Sequence, residues 1–405
     1  MRILIVSTLY PPVALGGYEV ECSAVVDHLL GSHDVHVLTS STARSRAPLE
    51  RYVRRELTLL TPDRRGALRA PFAALTAVGV ARQALAVRPD LVYVWNASLL
   101  PQAALRVIAD SGVPMAVRVC EHWFGGLLTA DQFLRELLPD HRKTARALWA
   151  SGCRALNALP VLRLDPLARF PLAISWNSEA IRRMTHTPSM VDPVLERMGH
   201  SVPRYGDLYA GVVRDPALTP EIAFVGRVTP VKGVRVAIEA LARLRSEHAI
   251  SARLLIAGPE DAGHGAEMRT LARGLGVGGA VAWLGQCTPE EVAGVLSRAH
   301  ALIVPSVWDE PFPLVTIEGA FARVPLVAAD VGGIGEGMPG EECALLFPRG
   351  DAVAAAAALA RTLQEGEQTA ARVARARVRA ETFRLGPYLS AQEQFVDDAY
   401  RALRP

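Results

Sequence analysis

Short aliphatic runs alternate with longer stretches of helical periodicity along the whole chain. In the first half the runs are ILIVS from Ile3, VHVLTS from Val35, DLVYVW from Asp90, MAVRV from Met115 and AISWNS from Ala173. Runs this apolar suit strands covered on both faces, and the helical stretches between them supply the crossovers that parallel pairing needs. The second half restarts the pattern with IAFVG from Ile222, RLLIAG from Arg253, AVAWLG from Ala280, ALIVPS from Ala301 and PLVAAD from Pro325. Helices are predicted over 233–247, 267–275, 289–299 and 351–364. No internal repeat of solenoid period is visible.

Between the halves, residues 199–220 are rich in glycine, proline and arginine and read as an interdomain connection. A chain of 405 residues is too long for one ordinary core. The expectation is an α/β protein of two Rossmann-like, doubly wound domains facing across a cleft, over 1–205 and 212–384, with ligands at the carboxyl ends of the strands. Residues 124–172 are irregular, with Pro160, Pro166 and Pro171, and give no firm elements. The apolar run over 70–87 carries Arg82 and reads as an amphipathic helix rather than a membrane span.

Composition adds exclusions. Hydrophobic residues make up 50% of the chain and charged ones 21%, which fits a packed globule rather than a disordered chain. A net charge of +3 gives no bulk attraction for nucleic acid. Almost all of the positive charge is arginine, the lysines being Lys143 and Lys232 alone. Cys22, Cys120, Cys153, Cys287 and Cys343 are odd in number and form no CxxC pair, which argues against a disulfide framework or zinc site and for a reducing, cytoplasmic setting. The first strand-like run also starts at once, without the cleavage pattern of a signal peptide.

Two constellations carry chemistry. After the run ending at Val225 come Gly226 and Arg227, then Lys232 and Gly233 where a helix starts. Glycine admits a close ligand, a helix N-terminus offers free N–H groups, and two cations stand beside them, as a diphosphate requires. A solvated Arg and Lys at a helix start is the plainer reading of that pair alone. The second constellation is Glu310, Pro311, Phe312, Pro313, Leu314 and then Glu318, directly after Val304, Pro305 and Ser306. A helix beginning near Pro313 would aim free N–H groups at sugar hydroxyls or a phosphate, and Glu318 could accept from a vicinal diol such as ribose. Surface carboxylates on a loop and a helix are the plainer alternative.

The ordered strings FVGRVTPVKG, LLIAGP, WLGQCTPEEV, VPSVWDEPFPLVTIEGA, PLVAADVGGIGE and CALLF, over 224–347, resemble the donor-binding half of glycosyltransferase family 4, retaining enzymes of GT-B fold. The resemblance implies that the half over 212–384 holds a nucleotide diphosphate sugar, a UDP-sugar first among them, and that the half over 1–205 binds the acceptor. Arg227 and Lys232 would neutralise the diphosphate, Glu318 would hold the ribose and Glu310 would lie by the transferred sugar. The backbone of Phe312, Pro313 and Leu314 would meet sugar hydroxyls, and the base would rest near Gly258, Gln286 and Cys287. One departure is Pro313, where the family has glycine, so one backbone N–H is missing.

In the first half, Gly16 and Gly17 match a family loop that approaches the phosphates, though a flexible strand-to-helix turn explains them as well. Residues 385–405, with Tyr388, Phe395 and Tyr400, resemble the family's last helix crossing back onto the first domain. The family's active-site histidine has no plain counterpart: one register puts Cys120 and Glu121 on its His-Asp pair, and a slip of two puts His122 in the role. No Asp-x-Asp metal motif is present, so no cofactor is expected and transfer is expected to proceed without metal. The acceptor hydroxyl, on a small molecule or lipid, stays open. Arginines over 44–88 suit either a solvated face or peripheral membrane contact, and the apolar stretch 148–172 suits an aglycone pocket. A GT-B epimerase and a non-catalytic nucleotide-sugar binder are the rival readings. A nicotinamide dehydrogenase is disfavoured because no G-x-G-x-x-G follows either opening strand.

Overall fold

The computed structural model describes residues 1–13, 17–43, 50–59, 64–97, 99–120, 172–185, 192–199 and 219–404. The chain divides into two compact units, Met1–Gly199 with Tyr388–Pro405, and His200–Pro387. The connection expected over 199–220 lies almost wholly outside the described residues, as does the irregular stretch after Cys120.

In the first unit the strands are β1 (Arg2–Ser7), β2 (Asp34–Ser40), β3 (Val53–Leu57), β4 (Leu91–Asn96), β5 (Met115–Val119), β6 (Leu172–Trp176) and β7 (Leu195–Met198). The helices are α1 (Gly17–Leu29), α2 (Arg64–Leu85), α3 (Gln102–Ala109) and α4 (Glu179–Thr185). The strand order is β3-β2-β1-β4-β5-β6-β7, every pair parallel. β4, β5 and β6 are buried along their whole lengths, as strands with helices on both faces must be.

The second unit runs β8 (Glu221–Val225), α5 (Val234–Glu247), β9 (Arg253–Ala257), α6 (Ala262–Gly274), β10 (Val281–Gly285), α7 (Pro289–Arg298), β11 (Ala301–Val304), α8 (Leu314–Phe321), β12 (Leu326–Ala329), α9 (Ile334–Gly337), β13 (Leu345–Phe347), α10 (Ala352–Gln364) and α11 (Gly366–Glu381). Helix α12 (Leu385–Leu403) follows, most of it belonging to the first unit. The strand order is β10-β9-β8-β11-β12-β13, again all parallel. Helix starts obey local chemistry. Thr288 and Glu291 form a reciprocal capping box before α7, and the Asp351 carboxylate accepts from Val353 N and Ala354 N to open α10. The alanines of α10 offer little bulk where it packs on α5.

In both sheets the chain reverses direction of growth once, between β1 and β4 and between β8 and β11. Loops leaving the two strands at such a point run to opposite sides and open a crevice at the strand ends, the usual ligand site of doubly wound sheets.

Candidate functional site

The reversal in the second sheet lies where the two constellations converge. The loop after β8 carries Gly226, Arg227 and a 3-10 turn, Pro230–Lys232, closed by Gly233 at φ 71°. The loop after β11 carries Ser306, Trp308 and Glu310. A side chain at position 233 would stand 1.8 Å from the Pro305 carbonyl oxygen, so only glycine lets the two loops pass this closely. A third loop, after β12, closes on the same spot. Gly333 N donates to the Glu310 carbonyl at 2.7 Å, and a Cβ on Gly332, whose φ is 55°, would stand 2.1 Å from that oxygen.

Glu310 is 3% exposed. Its Oε1 accepts from Lys232 Nζ at 2.6 Å and from Ser306 Oγ at 2.5 Å, while Oε2 accepts no hydrogen bond among the described residues. Lys232 also sits 5.3 Å from the centroid of the Trp308 ring, a cation–π contact beside its bond to Glu310. The resemblance placed Lys232 on a diphosphate and Glu310 by a sugar; in the structure the two side chains are bonded to each other. Arg227 is exposed and its guanidinium forms no hydrogen bond or ion pair among the described residues, while its carbonyl accepts from Thr229 N at 3.0 Å.

Helix α8 begins at Leu314, so its first N–H groups have no intrahelical acceptor. Pro313 is the residue before it, at φ −77° and ψ 102°, and its carbonyl accepts from Thr316 N at 3.1 Å and Thr316 Oγ1 at 2.8 Å. The Phe312 ring turns into the core against Phe383, at 5.5 Å between centroids, leaving only its backbone for the crevice. Glu318 lies one turn into α8, partly exposed as a residue, with a carboxylate that takes no hydrogen bond among the described residues. Burial raises its pKa from 4.5 to about 7.

The ends of β8, β9 and β10 are stitched together by backbone bonds, Gly226 N to the Ala257 carbonyl at 2.9 Å and Gly258 N to the Gly285 carbonyl at 2.7 Å. At Gly258, φ is 149° and a Cβ would stand 2.0 Å from the Gly226 carbonyl oxygen. Gln286 is exposed beyond β10, and Cys287 is partly buried, its thiol donating to the Gly285 carbonyl at 3.5 Å and pushed up in pKa by desolvation. Sequence reasoning missed the neighbouring group in which Arg269 binds both Glu260 oxygens, at 2.6 and 2.7 Å, and lies 4.3 Å over the Trp283 ring. That Arg269 bond holds the Glu260 carboxylate below its ordinary range.

In the first unit, Gly17 opens α1 and is exposed, and Cys120 is buried directly after β5. Gly16, Glu121 and His122 lie outside the described residues, as does Cys153. The unforeseen residue is Arg118, fully buried in β5. Its guanidinium donates to Glu21 Oε1 at 2.9 Å, Ser175 Oγ at 3.0 Å and the carbonyls of Trp176 at 3.0 Å and Gly199 at 2.7 Å. Tyr388 of α12 donates to the same Glu21 oxygen, and Tyr93 donates to Gln392 Oε1 at 2.6 Å. An arginine inside the run MAVRV was the available signal: a charge in a fully buried strand must find a carboxylate. Among the described residues no helix is long and apolar enough to cross a membrane.

Comparison with known proteins fits this geometry. Residues 215–379 match the family described as glycosyl transferases group 1. The chain is 34% identical over 209 residues to a glycogen synthase of Mycobacterium tuberculosis, covering 48% of each protein. It is 31% identical over 216 residues to a D-inositol 3-phosphate glycosyltransferase of Rhodococcus opacus, covering 51% of this chain and 48% of the relative. The chain thus spans about half the length of the curated relatives it matches. Among solved structures, a sucrose-phosphate synthase of Thermosynechococcus elongatus superposes with a TM-score of 0.71 at 20% identity, over 99% of both chains. Anabaena HepE, solved in complex with UDP and glucose, gives a TM-score of 0.69 at 19% identity, over 98% of this chain and all of that one (100%). These likenesses show the fold.

Proposed function

We propose, from the match of residues 215–379 to the glycosyl transferases group 1 and the two-unit fold of GT-B type, that the protein transfers a sugar from a nucleotide diphosphate sugar to an acceptor hydroxyl with retention at the anomeric carbon. The observation that carries the reading is the 2.6 Å bond between Lys232 and Glu310, which joins the loops of β8 and β11 at the sheet's reversal. It brings a cation and a carboxylate into one crevice, which supports reading Lys232 as a partner of the leaving diphosphate and Glu310 as a partner of the sugar. HepE, likewise built on this fold, has been solved with UDP and glucose, which makes a UDP-sugar the first donor to try.

In this reading the C1–O bond to the diphosphate breaks as the acceptor oxygen approaches from the same face, and the acceptor's proton passes to the departing phosphate oxygen. Arg227, Lys232 and the N–H groups that open α8 balance the charge that grows on the leaving group, and Glu310 stabilises the cationic sugar. Glu318 accepts from the ribose hydroxyls. No metal is required, because the leaving charge is met by fixed cations and dipoles. The acceptor is a small molecule or lipid bound by the first unit, in a cytoplasmic protein that touches membranes peripherally if at all.

A thermal-shift panel of UDP-glucose, UDP-galactose, UDP-N-acetylglucosamine, GDP-mannose and ADP-glucose tests the donor. A true donor at a hundredfold its Kd adds about 2.7 kcal/mol of stability. Glu310→Gln is expected to bind that donor nearly as well and to lose at least about a hundredfold in turnover; near-normal turnover overturns the site. Prolonged EDTA treatment should leave turnover unchanged, and its loss would refute metal independence.

A further inference from the structure

The two oxygens of Glu310 are not equivalent. Oε1 receives both of the donors that reach this carboxylate, Lys232 Nζ and Ser306 Oγ, while Oε2 receives none among the described residues. The two donors differ in how firmly they are fixed. Lys232 keeps part of its side chain exposed, ends a long flexible stem and is the group the proposed function assigns to the diphosphate. Ser306 is 1% exposed, sits two residues beyond β11 and carries its hydroxyl one bond from the backbone Cα–Cβ axis, so it has far less reach for moving than the lysine ammonium.

A diphosphate arriving at Lys232 competes with Glu310 for the ammonium, since it brings two negative charges against the carboxylate's one. A nearly buried carboxylate that loses its cation keeps its orientation only if another donor holds it. We propose that Ser306 is a positioning residue, anchoring Oε1 of Glu310 as the donor draws Lys232 away so that Oε2 stays turned toward the sugar. This rests on the reading of Glu310 and Lys232 as parts of a donor site. Ser306 touches no substrate in it, and its effect passes entirely through Glu310.

The test uses the full chain and hydrolysis of the panel's five nucleotide sugars, followed as released nucleoside diphosphate, which needs no acceptor. Three variants are compared with wild type: Ser306→Ala, Glu310→Gln and the double variant. Losing one hydrogen bond to a charged group should lower kcat of Ser306→Ala about ten- to a hundredfold, with KM for the nucleotide sugar held within about twofold. In the Glu310→Gln background the same change should cost less than about twofold, because the residue it serves is already disabled. A Ser306→Ala enzyme with kcat within about twofold of wild type, or losses that multiply in the double variant, overturns the inference while leaving Glu310 in place. Normal kcat in Glu310→Gln, or hydrolysis of none of the five sugars, overturns the underlying donor reading and Ser306's role with it.

Discussion

Glu318 is a carboxylate without a hydrogen-bond donor in a crevice rich in donors elsewhere. Its ordinary value of 4.5 is raised to about 7 by burial, so the folded protein holds a proton that the unfolded chain has already released. The contribution to stability is therefore full below pH 4.5 and falls by roughly 1.4 kcal/mol per pH unit until it is lost near pH 7. Urea titrations of the ligand-free protein should show Glu318→Gln gaining on wild type from pH 4.5 to about 7, with matching stabilities near pH 4.5 and no further gain above 7; a constant gap from pH 4.5 to 7 would contradict the assignment. The same carboxylate, if ionised to accept ribose hydroxyls, makes UDP bind more tightly as pH rises through 7. That dependence disappears in Glu318→Gln. Calorimetric titration at pH 6 and 8 reads it.

Segments here owe their positions to a few glycines. Gly233 lets the turn after β8 pass against Pro305 at the end of β11, and a methyl group there would overlap a backbone carbonyl that cannot yield. Gly233→Ala is expected to cost several kcal/mol by forcing the loops apart at a left-handed backbone position, or about 2–3 kcal/mol where the turn relaxes. UDP affinity should fall with stability, since Lys232 rides on the displaced turn; unchanged denaturation and binding would show that the loops do not need this approach. The same physics explains which parts of the fold could be read from the chain. Strands buried on both faces announced themselves as unbroken aliphatic runs, whereas the edge strands β3 (VRREL) and β7 (LERM) carry the charges that protect an exposed edge and so look like loops. Helix α6 starts five residues before the 267–275 forecast because glycines at 263 and 265 mask its first turn, and α11 went unseen among its arginines. Glu310 and Lys232 each stood out by context, but their pairing is a contact across 78 residues that only the sheet order creates. Arg118 was marked only by being a charge inside the aliphatic run MAVRV, and Ser306 by lying in the string that carries Glu310; neither pattern shows the partner. Their importance comes from what surrounds them.

Within the first unit a polar knot ties the N-terminal segment to the closing helix. Arg118 and Glu21 are both nearly buried, and the hydroxyl of Tyr388 and the amide of Gln392 complete their surroundings from the far end of the chain. Removing one partner of such a pair strands the other, so Arg118→Met should lose about 3–5 kcal/mol, and Arg118→Met with Glu21→Met should recover a large part of it. Tyr388→Phe removes one hydrogen bond and should cost about 1–3 kcal/mol while leaving UDP binding by the second unit intact. Guanidinium unfolding followed together with UDP titration separates these effects, and a Tyr388→Phe protein that binds UDP poorly would count against independent units.

That knot also sets an order of events during synthesis. Tyr93 and its partner Gln392 are 299 residues apart, and the whole second unit is made between them. Residues 1–199 leave the ribosome first yet stay short of α12, whereas the second unit has all its own strands as soon as it emerges. The half made last is thus the first able to finish folding, and the half made first waits, with the pocket around Arg118 and Glu21 unsealed, for the closing helix.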